Sequence, residues 1–217
     1  MDNPWKSISI KDYINHMGHE NVYQLQAINT IIKNQLNSSY KNIAILGITD
    51  GNGLEHIDAS KINKIIGIDI NPDYLKVCKS KFDHLNDILY LHCIDMINEK
   101  KKAIELLSDI DYVIADLIIE HIHIDNFIDI ISGIHSENKI VSCVIQHNTD
   151  SSLISQSGSE KAFECLIPLI EEVNESSLIN QMDLINHKLV YKEEYLLPNN
   201  KSFIRLDFKY CKGETSL

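Results

Sequence analysis

Asp69, Asp95 and Asp116 are the side chains whose placement first suggests chemistry. Each directly follows a short apolar run: "KIIGI", "LHCI" and "YVIA". A carboxylate there can accept hydrogen bonds from a ligand's hydroxyls or amines. It can equally cap a helix or face solvent. Ahead of them, "LGITDGNG" sets Gly47, Gly51 and Gly53 within seven residues, behind another apolar run. Glycines there allow the backbone to pass close to a ligand. Two further stretches hold candidates for proton transfer. "DLIIEHIHID" carries Asp116, Glu120, His121 and His123, and "KDYINHMGHE" carries Tyr13, His16 and His19. His121 and His123 are two apart, so they diverge on a helix and make a poor metal pair. No metal is expected. Tyr13 and His16, at i and i+3, share a helical face and can equally pack there.

What these groups can do depends on the elements that hold them. From Asn21 to Asn37, Val22, Leu25, Ile28, Ile31, Ile32 and Gln35 recur at helical spacing. "NIAILG", "KIIGIDI", "ILYLHCI", "DYVIA" and "KIVSCVIQ" read as five buried strands. After the first, "NGLEHIDASKI" lacks the alternation of a hairpin, while Leu54 and Ile57 restart a helical period. Strand, turn, helix is expected there. Asn71 is a good N-cap and Pro72 suits a first turn, which predicts a helix through Phe82 with Leu75, Cys78 and Phe82 inward. Further helices are expected after Asn98 and over "IDNFIDIISGI". Continuous apolar strands alternating with helices argue a parallel sheet covered on both faces. Beyond Gln146, "HNTDSSLISQSGSE" reads as loop and Lys161 to Val173 as a helix interrupted near Pro168. "HKLVYKEEYLL" and "KSFIRLDFKY", joined by "PNN", read as two antiparallel strands, and "CKGETSL" as a frayed end.

Composition narrows the function classes. The chain has 217 residues, 44% hydrophobic, which suits one well-buried domain. Net charge is -11 and Arg205 is the only arginine, which disfavours nucleic acid as a partner. No apolar run is long enough to cross a bilayer, and the first residues carry no secretory signal pattern, so a cytoplasmic location is expected. Five scattered cysteines without a CxxC pair argue for reduced thiols. Oligomeric state has no signature in the sequence.

Open α/β sheets bind ligands at the carboxyl ends of their strands. Asp69 lies 22 residues beyond Gly47, where an acidic side chain can accept both hydroxyls of a ribose. Asp95, after the third strand, is placed to accept from an exocyclic amine such as that of adenine. The glycine spacing is G-x-x-x-G-x-G, so the G-x-G-x-x-G dinucleotide fingerprint is missing and an NAD-dependent oxidoreductase is disfavoured.

With these residues in place, the sequence resembles the class I S-adenosylmethionine-dependent methyltransferases. "AILGITDGNGLEHI" looks like their glycine motif, "IIGIDINPDYL" like the second-strand acidic motif, "LHCIDM" like the adenine-contacting motif and "DYVIADLIIEHI" like the fourth-strand motif. "DYINHM", "GNGLEHI" and "LLPNNKSF" look similar to a group of small bacterial methyltransferase-like proteins. Two positions depart from the pattern. Ile45 stands where the family has an acidic residue, and Thr49 replaces its middle glycine. The resemblance implies a Rossmann-like, seven-stranded, mostly parallel α/β sheet with helices on both faces and a C-terminal antiparallel hairpin. It implies one domain over 1–217, with an N-terminal helical cap (1–40), a cofactor-binding core (41–147) and a substrate-side segment with the hairpin (148–217). It implies S-adenosylmethionine as cofactor. The contacts carried over are Gly47, Thr49 and Gly51 at the methionine end, Asp69 and Ile70 at ribose and adenine, Asp95 and Met96 at adenine, and Asp116 beside the sulfonium. Tyr13, His16 and His121 are the catalytic candidates, and a small molecule is the expected methyl acceptor. A non-catalytic cofactor-binding or scaffold protein on the same fold is the alternative.

Overall fold

The β-branched runs form the strands of a single sheet in the computed structural model, which describes residues 3–37, 39–134, 139–148, 157–158, 160–198 and 200–212. The strands are β1 (Asn42–Leu46), β2 (Lys64–Asp69), β3 (Leu89–Cys93), β4 (Tyr112–Asp116), β5 (Ile140–Asn148), β6 (His187–Leu196) and β7 (Lys201–Tyr210). Their order is β3-β2-β1-β4-β5-β7-β6. The first five run parallel, and β7 pairs antiparallel with both β5 and β6. This is the expected mostly parallel α/β sheet with a C-terminal antiparallel hairpin.

The helices are α1 (Ile10–Met17), α2 (Gln24–Leu36), α3 (Pro72–Lys81), α4 (Lys100–Leu106), α5 (Ile119–Ile122), α6 (Ile124–Gly133) and α7 (Glu175–Leu184). Alternation along the strands divides the core. Leu46, Ile68, Val113 and Cys143 face Phe127 and Ile131 of α6 and Met182 of α7. Ile43, Ile45, Ile65 and Ile114 face Leu75 and Cys78 of α3. Ile31 of α2 packs on Val144 and Phe203. After β1 the chain builds β2 and β3 on one side, then crosses to β4 and β5 on the other. The crevice at the carboxyl ends of β1 and β4 is therefore the topological switch point.

Two expected helices are replaced. Between β1 and β2 there is one 3-10 turn, Leu54–His56, instead of a helix. Thr49, Gly51 and Gly53 all have positive φ, which interrupts any helix, and Ile32 of α2 packs directly against Gly53. Lys161 to Val173 forms two 3-10 segments, Glu160–Ala162 and Glu164–Leu169, with Pro168 inside the second. Proline supplies no N–H and its ring crowds the turn before it, so no α-helix continues there. Helices α5 and α7 were not expected. Helix α7 is capped by Asn174, whose side chain accepts from the Ser177 N–H. Of the expected loop "HNTDSSLISQSGSE", His147 and Asn148 extend β5, and most of the remainder lies outside the described residues, as does most of "CKGETSL".

Gly51 has φ +83°, and a Cβ there would sit 2.7 Å from Phe82 Cε2 and 2.9 Å from Cys78 Sγ. Gly158 also has positive φ, yet nothing lies within 4 Å of its Cβ position. Urea denaturation is expected to show Gly51→Ala destabilised by about 2–4 kcal/mol, against about 1 kcal/mol for Gly158→Ala. Equal losses would mean that packing adds nothing at Gly51.

Candidate functional site

The loop leaving β1 is held by the end of β2. The N–H groups of Gly47 and Ile48 both donate to the Ile68 carbonyl, at 2.8 and 3.1 Å. Thr49 follows with φ +51°. A β-branched residue in the left-handed region is strained by about 1–3 kcal/mol. Its N–H donates to Asp69 Oδ2 at 2.9 Å, while Asp69 Oδ1 accepts from the Asn71 N–H at 2.8 Å. Burial pushes the Asp69 carboxyl up to about 6 even though these amides pull it down. Asn71 does two jobs. Its Oδ1 caps α3 by accepting from the Asp73 and Tyr74 N–H groups, and its Nδ2 donates to the Trp5 and Ile8 carbonyls at 2.8 and 3.2 Å. The N-terminal segment is thereby fastened beside the loop.

One cleft at these strand ends is lined by Gly47, Thr49, Asp69, Ile70, Asp95, Met96 and Asp116, together with Tyr13 and His121. Gly51 is not among its lining residues; its free side faces Phe82 and Cys78. His16 lines an adjoining second cavity, where its ring stacks on Phe163 at 4.4 Å and its Nδ1 lies 2.6 Å from Ser157 Oγ. Burial lowers the His16 pKa. Burial also drives the Tyr13 phenol well above its ordinary value, beside Thr49, so it stays protonated and able to donate. The Trp5 indole N–H donates to His121 Nδ1 at 3.2 Å. Desolvation, with His123 nearby, pushes His121 down to about 4, so its ring is neutral and weakly basic. Asp95 Oδ1 accepts from the Ile97 and Asn98 N–H groups and Oδ2 from Asn98 Nδ2, which folds a turn around it.

Asp116 ends β4. Its Oδ1 accepts from Gln35 Nε2 at 2.9 Å, while its Oδ2 is buried with no hydrogen-bond partner. Burial pushes this carboxyl up to about 7. Gln35 Nε2 also reaches Ser142 Oγ, which donates to Asp207, and Asp207 accepts two bonds from Arg205 at 2.9 and 2.7 Å. The single arginine is thus committed to Asp207, and no Lys or Arg lines the cleft among the described residues. Three carboxylates, one of them with a single oxygen that lacks a donor, face a space that no Lys or Arg of the described residues lines. Such a cleft suits a ligand that brings hydroxyls, amino groups and positive charge.

Trp5, Asn71 and Leu117 were not singled out from the sequence as site residues. Asn71 gave a capping signal only. Trp5 is the chain's one tryptophan, set in a polar segment. Leu117, with φ +54°, gave no signal at all.

No family model matches the sequence, and no curated protein matches it. Solved structures do. Magnesium protoporphyrin IX methyltransferase (ChlM) from Synechocystis PCC 6803 with bound SAM is 10% identical, over 95% of this chain and 93% of that one, with a TM-score of 0.65. The N-methyltransferase NodS from Bradyrhizobium japonicum WM9, in complex with S-adenosyl-L-homocysteine, is 9% identical over 97% and 100%, with a TM-score of 0.64. The chain has the class I methyltransferase fold. A third match, the 4+2 cyclase SpnF, has a TM-score of 0.63 at 9% identity over 86% of this chain and 81% of that one. The methyltransferase fold therefore leaves the reaction to be argued from the site.

The raised Asp116 pKa has a stability consequence. A carboxyl with a folded pKa of about 7 and an unfolded value of about 3.9 weakens the fold progressively as pH rises between them, and by a constant amount above. Asp116→Asn is therefore expected to gain on wild type from pH 4 to pH 7, reaching on the order of a few kcal/mol in urea melts at pH 8. A difference that does not change with pH would show that Asp116 titrates normally.

Proposed function

We propose that this protein binds S-adenosylmethionine in the cleft and transfers its methyl group to a small-molecule acceptor. The observation that carries the reading is the cleft itself. Every residue expected to contact the cofactor, apart from Gly51, lines one space without Lys or Arg among the described residues, and that space holds an unpartnered Asp116 oxygen. Each Asp69 oxygen accepts one backbone N–H and keeps a further acceptor site for a ribose hydroxyl. Asp95, Ile70 and Met96 are assigned to adenine, and Gly47 and Thr49 to the methionine end. Asp116 is assigned to the positive charge. The family's acidic residue at position 45 has no counterpart, since Ile45 is buried in β1. Asp69 supports this reading by orienting the loop through the Thr49 N–H instead. With Arg205 committed elsewhere, the Tyr13 hydroxyl is the donor assigned to the methionine carboxylate.

The bound cofactor would supply an electrophilic methyl group whose leaving group is a neutral thioether, so no acid catalyst is required. What the protein contributes is approach geometry, worth up to about 7–11 kcal/mol in well-oriented systems. The N-terminal segment, hung on Asn71 and joined to His121 by the Trp5 indole N–H, contributes Trp5 and Tyr13 to the wall of the cleft. No helix of the described residues is long and apolar enough to cross a membrane. A non-catalytic cofactor-binding protein is the second reading. It is favoured by Ile45, by Thr49 and by the cyclase that shares the fold.

Calorimetric titration with S-adenosylhomocysteine is expected to give saturable one-site heat. Asp95→Ala should bind about tenfold more weakly and Asp69→Ala more weakly still. Absence of heat at high micromolar ligand in the wild type overturns the proposal. Binding without turnover against a broad acceptor panel would favour the second reading. Thr49→Gly is expected to stabilise the free protein by about 1 kcal/mol in thermal melts, because it relieves the left-handed strain.

A further inference from the structure

The second cavity adjoins the cleft through a shared wall of Trp5, Met17, Gln24, Leu117 and His121. Three carboxylates line it: Glu120, Glu171 and Glu172. No Lys or Arg lines it among the described residues. Glu171 and Glu172 are exposed, and Glu171 holds His123 Nδ1 at 2.7 Å. Glu120 is different. It is 7% exposed, and its Oε1 accepts from the Gln146 N–H at 2.8 Å. Its Oε2 is buried with no partner. A buried acceptor left without a donor costs about 1–3 kcal/mol, more when charged. Aromatic rings also line the cavity: Trp5 and Phe163 lie with ring centroids 6.4 Å apart, and His16 stacks on Phe163.

The geometry points to this cavity as the methyl-acceptor site, and to an amine as its acceptor, with Glu120 Oε2 receiving the N–H. This inference rests on the proposed methyl transfer. A protonated amine satisfies the unpartnered oxygen, is drawn by the carboxylates, and finds aromatic faces that attract cations. A carboxylate or phosphate acceptor would meet only like charge. Burial also pushes the Glu120 carboxyl up to about 7, which suits it to take a proton near neutrality. The step balances. The ammonium gives one proton to Glu120, and the freed nitrogen pair forms the N–C bond. The S–C bond breaks with its electron pair returning to sulfur, and the positive charge passes to the methylated amine.

Trp5 is the chain's one tryptophan and stands in the shared wall, so its fluorescence reports on both cavities. Benzylamine, benzyl alcohol and benzoate present one ring with three head groups. In the presence of S-adenosylhomocysteine, benzylamine is expected to bind about tenfold more tightly than benzyl alcohol, with benzoate silent. Glu120→Gln should erase the preference for the amine. Equal binding of amine and alcohol, or a preference for benzoate, overturns the inference. So does an unchanged amine preference in a folded Glu120→Gln protein. If that variant does not fold, the wild-type ordering of the three ligands decides alone. Titrating S-adenosylhomocysteine separately distinguishes the two readings. A cofactor response with no amine preference overturns the acceptor assignment only. A Glu120-dependent amine preference with no cofactor response upholds the amine site and overturns the methyl-transfer reading.

Discussion

The site depends on one carboxylate that holds two backbone amides. Asp69 grips Thr49 with one oxygen and Asn71 with the other, so the loop after β1 and the start of α3 are fixed to the same point. The first contact works with the turn closed by the Gly51 N–H on the Ile48 carbonyl to hold a β-branched residue at φ +51°. Without the second, Asn71 would lose its orientation, and with it the cap of α3 and the anchor of the Trp5 segment. Loop, helix and N-terminal cover are coupled through a side chain that is 6% exposed.

The site also concentrates buried acid. Asp69, Asp116 and Glu120 are pushed to about 6, 7 and 7 by desolvation; Arg205 draws Asp116 back only in part, and no Lys or Arg of the described residues lines either cavity. Each raised value represents free energy that a positively charged or donor-rich ligand can relieve. The histidines do not supply the charge. Burial lowers the pKa of both His16 and His121, so they serve as neutral, polar parts of the wall. The acidity that makes the empty fold weaker than it need be is thus also what prepares it for a cationic ligand.

Much of this was legible in the sequence, for a physical reason. The carboxylates after the apolar runs of β2 and β4, and the one just past β3, had to emerge at one edge of a parallel sheet. The positions of Asp69, Asp95 and Asp116 at that edge therefore follow from the sequence pattern alone. The glycines were harder. Gly47 lines the cleft, while Gly51 faces Phe82 and Cys78, and a glycine kept for packing looks the same in a sequence as one kept for a ligand. The helix expected after Gly53 is a single 3-10 turn, and Ile32 of α2 packs against that glycine, a contact with no local signal. The bond between Trp5 and His121 spans 116 residues and leaves no local trace. The free oxygen of Glu120 is likewise a product of packing.

The coupling through Asp69 is tested most directly by amide hydrogen exchange at Thr49 and Asn71. The account predicts that both amides exchange slowly in the free protein, slow further with S-adenosylmethionine, and are released together in Asp69→Asn. Rapid exchange at Thr49 in the free protein, with no change on adding the cofactor, would contradict it.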